Sequence, residues 1–311
     1  MTNNQHVQKR LGVITPVYNG ERYIEETINS VIEAIVDLDV EYVVVNDGST
    51  DGTLQIIEKY KEQVIIVNQQ NLGESAAVNS GLMKSSADYV VIVNADDPIL
   101  SREIFEEVET HFDSNHELVA WYPDWIMIDS KGQVLSRIET EEYSDESLIG
   151  RFRCLPGPGV FLRKSAALSV GGRSTKWRYV SDYDLWLRLS RVGRLERRPK
   201  VLAQWRCHDE AKSAEGGPLM VRERSEAVLN LISTFSVSPK VRRIAKAHYL
   251  YFSLTTENNF GILEEKLKLL TALYMGRGRL SESRPRVILY ILLKPFSKYP
   301  RLIYSFLCKR I

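Results

Sequence analysis

The stretch "VEYVVVNDGSTDGTLQIIEKY", residues 40–60, decides the fold. Val40 to Val45 is an almost unbroken apolar run. Asn46 to Gly52 is polar and turn-forming. From Thr53 the apolar residues Leu54, Ile56 and Ile57 fall at the spacing of a short helix. A strand that is apolar on both faces is buried on both faces, as in parallel sheets covered by helices. The same rhythm repeats on either side. "LGVITPVY" (11–18) reads as a buried strand that Pro16 helps to end, and Ile24, Ile28, Val31, Ile32 and Ile35 then recur near helical spacing. "QVIIVNQ" (63–69) is a third strand and "ADYVVIVNADD" (87–97) a fourth. Between them "GESAAVNSGLMKSS" (73–86) is a helix whose small residues permit close packing. This βαβαβαβ order predicts an α/β fold with a mostly parallel sheet and helices on both faces. Ligands of such sheets lie outside the carboxyl ends of the strands.

The chain beyond residue 100 is less regular. "AWYPDWIMIDSKGQVLSRI" (120–138) predicts two strands joined by a turn at "DSKG". "PGPGVFLRKSAALSVGG" (156–172) predicts a stiff loop, a short strand and a short helix. "SDYDLWLRLSRVG" (181–193) predicts a helix capped by Ser181 or Asp182 and ended by Gly193. "LERRPKVLAQWRCH" (195–208) returns as a strand. From "PLMVRERSEAVLNLISTF" (218–235) onward the pattern is helical, so residues 1–215 are expected to form the main domain and 216–311 a helical C-terminal region. Residues 285–311 hold six Lys/Arg and no acidic residue, interleaved with apolar and aromatic side chains. That composition suits an anionic membrane surface, or a helix closing a core with its basic residues solvated.

Composition narrows the function classes. The chain has 311 residues and a formal net charge of +1, so bulk charge points to no nucleic-acid partner. No apolar run approaches the roughly 20 residues that span a bilayer, and the first residues lack the apolar core of a signal peptide. Cys154, Cys207 and Cys308 show no metal-ligand spacing and read as buried or inert thiols in a cytoplasmic protein. There is no P-loop, no dinucleotide Gly-rich turn, no nucleophile elbow and no zincin helix motif.

Four polar clusters fall at or after strand ends: Thr15–Asn19, Asn46–Asp51, Asn94–Asp97 and Arg206–His208. Asp47 ends its strand where a carboxylate can accept from a ribose or a base N–H, whereas Asp51 reads as an Asx turn or helix cap. Asp96 and Asp97 put like charges side by side at the end of a buried strand, which is costly unless a positive group accompanies them. Two carboxylates are too few for a closed metal cage, but they suit Mg²⁺ or Mn²⁺ completed by a diphosphate. Helix capping is the alternative for that pair.

"ITPVYNGERYIEETINSVI", "VVNDGSTDGT", "NLGESAAVNSGL", "YVVIVNADD" and "SDYDLWLRLSRVG" occur in this order, and together they resemble the family 2 glycosyltransferases over roughly residues 9–215. The resemblance implies a GT-A fold and inverting transfer of a sugar from a nucleotide diphosphate sugar, assisted by Mn²⁺ or Mg²⁺. It implies that Thr15, Pro16 and Tyr18 approach the nucleotide and that Asp47 contacts the base. It also implies that Asp96 meets the ribose, Asp97 coordinates the metal and Asp182 is the general base. Arg206 and His208 stand where relatives often carry an R-x-H pair, which gives His208 to the metal or diphosphate and Arg206 to phosphate. Asp124, Trp125, Gly157 and Gly159 are weaker candidates on the acceptor side. Three departures stand out. Ser181 replaces an acid before Asp182, Val78 stands where many relatives carry Arg, and "QWRCH" lacks a complete Q-x-x-R-W motif. The last points to addition of one sugar rather than processive synthesis. The expected acceptor is a sugar or lipid-linked hydroxyl in surface polysaccharide or glycolipid assembly, with the tail at the inner face of the membrane. A catalytically silent sugar-nucleotide-binding subunit is the competing expectation.

Overall fold

A computed structural model of the protein describes residues 10–153, 156–209 and 217–256. The first hundred residues form the expected alternation. It runs β1 (Leu11–Val17), α1 (Ile24–Ile35), β2 (Val40–Asn46), α2 (Thr53–Glu58), β3 (Ile65–Asn68), α3 (Glu74–Lys84) and β4 (Tyr89–Ile92). Then come α4 (Glu103–Glu106), α5 (Val108–Ser114), β5 (Leu118–Ile128), β6 (Val134–Ile138), β7 (Phe161–Arg163), α6 (Lys164–Ser169), α7 (Ser181–Leu189) and β8 (Arg194–Arg206). Among the described residues, eight strands form a single sheet in the order β3-β2-β1-β4-β7-β5-β6, with β8 beside β5. Pairs β1–β2, β1–β4, β2–β3 and β5–β8 are parallel; β7 runs antiparallel between β4 and β5, and β6 is antiparallel to β5. β1 and β2 are buried along their whole length, as their apolar composition requires.

Pro16 does not end β1. The β1–β4 pairing stops at Ile14↔Ile92, while β1–β2 pairing continues to Val17↔Asn46. Proline is therefore tolerated where β1 has lost its β4 neighbour and a ladder donor is no longer needed on that side. The strand order reverses at this same place, β2 lying on one side of β1 and β4 on the other. The resulting crevice at the carboxyl ends is the ligand position of doubly wound sheets. The small residues of α3 pack as expected: Ala77 and Val78 are fully buried, and a Cβ at Gly81 would collide with the Ile14 side chain of β1.

α7 begins at Ser181 with Val180 as its cap residue and no side-chain cap, so Ser181 and Asp182 occupy its first turn. Gly193 follows the helix, its N–H donating to Leu189 O. Cys207 is exposed rather than buried; Cys154, Cys308 and the basic segment 285–311 lie outside the described residues.

The described residues fall into two compact units, one within 10–144 and 153–224, the other within 145–152 and 225–256. α8 (Gly217–Thr234) starts in the first, and its residues from Ser225 on belong to the second. Within the second unit a π-helical turn, Glu146–Gly150, meets α9 (Pro239–Thr256). Ile244 packs on Gly150, Lys240 pairs with Glu146 at 2.8 Å, and the ring of Phe152 lies 5.9 Å from that of Phe252. Among the described residues no helix is long and apolar enough to cross a membrane.

Candidate active site

The loops after β1 and β2 are knitted together by their own polar residues. Asn19 adopts φ 51°, a conformation asparagine tolerates, and its Oδ1 accepts from Thr50 N at 2.8 Å while its own N–H donates to Ser49 Oγ at 3.0 Å. Gly20 N donates to Thr53 Oγ1 at 2.8 Å, and Gly52 N to Glu21 Oε2 at 2.7 Å. Asp51 Oδ1 accepts from Thr53 N at 3.0 Å, the expected Asx turn. Asp47 fixes a third loop. It is 2% exposed, and its carboxylate accepts from Gln69 Nε2 (2.6 Å), Leu72 N (2.9 Å) and Gly73 N (2.8 Å).

These loops wall a cavity of about 710 Å³ in the crevice. Pro16, Tyr18, Asp47, Asp96 and His208 line it, with Glu74, Arg173 and Arg178 across from the strand ends. A second cavity of about 500 Å³ adjoins, lined by Asp97, Gly157 and three tryptophans, Trp125, Trp186 and Trp205. Asn94, Arg173, Asp182 and Trp205 line both. Asp182 Oδ1 accepts from Tyr183 N at 2.6 Å.

The two adjacent carboxylates find their positive company within the chain. Asp97 is 4% exposed; Oδ1 accepts from Arg206 N at 2.7 Å and Oδ2 from Asn94 Nδ2 at 2.8 Å. Burial first, and the Asp96 charge second, push its carboxyl well above the usual range despite those hydrogen bonds. Asp96 is more open, and its Oδ2 is 2.9 Å from His208 Nε2. Arg206, 1% exposed, directs Nε to Asp96 O (2.9 Å) and Nη2 to Glu26 (2.7 Å), and its guanidinium stacks over the Tyr23 ring at 4.8 Å. It braces the pair from behind and lines neither cavity, so it is not placed to meet a phosphate.

Three more of the expected residues turn away from the cavities. Thr15 is fully buried, with its hydroxyl 3.1 Å from Tyr42 OH. Asp124 is 2% exposed and clamped by Thr140 N (2.9 Å), Thr140 Oγ1 (2.8 Å) and Arg197 Nη2 (2.9 Å), a tie between β5 and β8. Gly159, at φ +75°, has Ala203 and Ile104 where a Cβ would stand. Gly157 does line the second cavity, where a Cβ would strike the Trp125 indole. Trp125, expected on the acceptor side, does line the second cavity, whereas the sequence does not single out Arg173 or Trp205. Only the interruption of a polar helix-to-helix connection by "GGR" hints at Arg173.

Asp96, Asp97 and His208 do not by themselves make a metal site. Among the described residues no group of three or more His, Cys, Asp or Glu side chains could hold a metal ion. His208 Nδ1 is buried without a partner, and each Asp97 oxygen already accepts one hydrogen bond. The two carboxylates therefore fit a hard cation only as part of a shell that a diphosphate completes.

Residues 12–161 match the family model described as glycosyl transferase family 2. This segment resembles the family 2 glycosyltransferases. The chain is 29% identical over 210 residues to an uncharacterised glycosyltransferase of Rickettsia typhi, the match covering 64% of each chain. It is 30% identical over 166 residues to the poly-beta-1,6-N-acetyl-D-glucosamine synthase of Staphylococcus aureus, covering 50% of this chain and 39% of the synthase. The chain thus spans somewhat under two thirds of the Rickettsia relative. Among solved structures it is similar to S. aureus TarS in complex with UDP-GlcNAc, with a TM-score of 0.67, 21% identity, and coverage of 96% of this chain and 91% of that one. It is also similar to a mannosyltransferase of Pyrobaculum calidifontis in complex with GDP-Man and Mn²⁺, with a TM-score of 0.57, 17% identity, and coverage of 96% and 83%. At those identities the likeness carries the fold, which is the expected GT-A arrangement.

Proposed function

We propose that the protein transfers a single sugar, with inversion, from a nucleotide diphosphate sugar to a hydroxyl acceptor. The observation that carries this reading is Asp182, which lines both cavities. A nucleotide sugar enters the larger cavity against Tyr18 and the loop held by Asp47. The acceptor enters the second cavity between the tryptophans. Its hydroxyl attacks the anomeric carbon from the face opposite the leaving diphosphate, and the Asp182 carboxylate takes its proton. Asp96 and Asp97 would hold Mn²⁺ or Mg²⁺, which supplies positive charge to the leaving diphosphate when bound. Arg206 keeps the two carboxylates at the strand end, and His208 orients Asp96.

The ligands in the two neighbouring complexes, UDP-GlcNAc and GDP-Man with Mn²⁺, support this donor class. The S. aureus synthase supports a role in surface polysaccharide assembly. Such an acceptor is lipid-linked at the inner face of the membrane, where the basic, aromatic segment 285–311 would hold the enzyme.

A donor panel of UDP-, GDP-, dTDP- and CMP-linked sugars, read by nucleotide release with and without Mn²⁺, tests the reading. Release from at least one nucleoside diphosphate sugar is expected. Tight nucleotide binding with no release from any donor or acceptor would favour the silent-subunit alternative.

A further inference from the structure

We propose that Arg173 is the cation that receives the leaving diphosphate where the two cavities meet; this rests on the donor reading above. Arg173 follows two glycines, Gly171 and Gly172, at φ +87° and +67°. The Asn79 side chain of α3 fills the place a Cβ at 172 would need. The same side chain clamps the backbone of Arg173 from both sides: Asn79 Nδ2 donates to Arg173 O at 2.8 Å, and Arg173 N donates to Asn79 Oδ1 at 2.8 Å. A loop residue is thereby fixed to a core helix.

The guanidinium is 7% exposed. Nη1 meets Glu74 at 2.5 Å, and Nε is buried with no hydrogen-bond partner. Withdrawing a guanidinium from water is costly unless its donors are met, and here one is not. Arg22 and Arg178, the other arginines of the nucleotide cavity, are exposed, and the cavity's His208 is 2.9 Å from Asp96. Among the described residues, Arg173 and Asp182 are the only charged ones common to both cavities, and their signs are opposite.

That pairing matches the charge flow of the transfer. The acceptor oxygen forms its bond to the anomeric carbon and loses its proton to Asp182. The bond from that carbon to the donor's phosphate oxygen breaks, and the electron pair leaves with the diphosphate. Negative charge therefore grows on the distal phosphate, where a planar two-pronged donor is well matched to phosphate oxygens.

The test compares nucleoside mono- and diphosphates by calorimetry, in fixed Mn²⁺, on the full chain and on Arg173→Gln and Arg173→Lys. For the best-bound nucleoside, Arg173→Gln is expected to weaken the diphosphate about tenfold to a hundredfold and leave the monophosphate nearly unchanged. Arg173→Lys, which keeps the charge without the fork, should recover part of the loss. Unchanged diphosphate binding in Arg173→Gln overturns the role, and so does an equal loss of both ligands, which would mark a structural residue. If Arg173→Gln gives no cooperative melt, Arg173→Lys decides alone, with a selective diphosphate loss expected and equal binding overturning the role. A wild-type chain that binds no nucleoside diphosphate overturns the donor reading itself, a result separable from the others.

Discussion

At the scale of single residues, Asp182 and Asp124 show how alike two acids look in sequence and how differently the fold uses them. Asp182 stands in the first turn of α7 facing both cavities; Asp124 is sealed between β5 and β8. Asp182→Asn should keep the fold and nucleotide affinity while lowering turnover about 10²- to 10⁴-fold, the usual worth of a general base; turnover within a few-fold of wild type would remove Asp182 from that role. Asp124→Asn should cost about 3 kcal/mol in urea melts, because it removes the buried carboxylate from Arg197 and leaves that guanidinium only the exposed Glu142, at 3.8 Å, as a charged partner among the described residues. Burial opposes the Asp124 charge, but the hydrogen bonds from Thr140 and Arg197 outweigh it and hold the folded carboxyl below its ordinary value. Its stabilisation is thus complete above the unfolded value of about 4 and fades as pH falls through the depressed folded value. The gap between wild type and variant should shrink steadily below pH 4, and a gap that stays constant would mean the charge is not what Asp124 contributes. Sequence exposed which acids exist but not which way they face. Asp124 is settled by Thr140 and Arg197, Arg206 by Glu26, and Arg173 by Glu74 and Asn79, all partners distant in the chain.

At the scale of elements, the strands were legible because their apolar runs are continuous and their ends are marked by Asn, Asp and Gly. Hydrogen-bond supply was not legible. Pro16 reads locally as a strand end, yet β1 runs through it because β4 stops two residues earlier in the register. α3 offers a sharper test of packing against propensity. Gly81 is interior to the helix, where Ala normally stabilises by about 1 kcal/mol. Its missing Cβ is where the Ile14 side chain lies. Overpacking of a close helix–strand contact costs about 1–3 kcal/mol, so Gly81→Ala should lower Tm. A raised Tm would show that Ile14 yields without cost and that the small-residue character of α3 is not what seats it on β1.

At the scale of the whole molecule, the notable property is the placement of charge along the chain. Net charge is +1 overall, yet residues 285–311 carry six basic residues and no acid, so everything before them is net negative. An anionic surface would attract the tail and repel the remainder, which favours one orientation over general adhesion. Each Lys or Arg near such a surface is worth roughly 1 kcal/mol, and the interleaved Phe296, Tyr299, Tyr304 and Phe306 add apolar contact. In flotation with the full chain, binding to vesicles rich in anionic lipid is expected, with little binding to neutral ones. Because exposed charges are screened over about 8 Å at physiological salt, binding should weaken in 0.5 M salt. Replacing Lys294, Lys298 and Arg301 with Gln should remove most of it while leaving nucleotide release from a water-soluble donor unchanged. Flotation that ignores lipid charge, or that survives those substitutions, would return the segment to the alternative of a helix packed on protein with its basic residues in water.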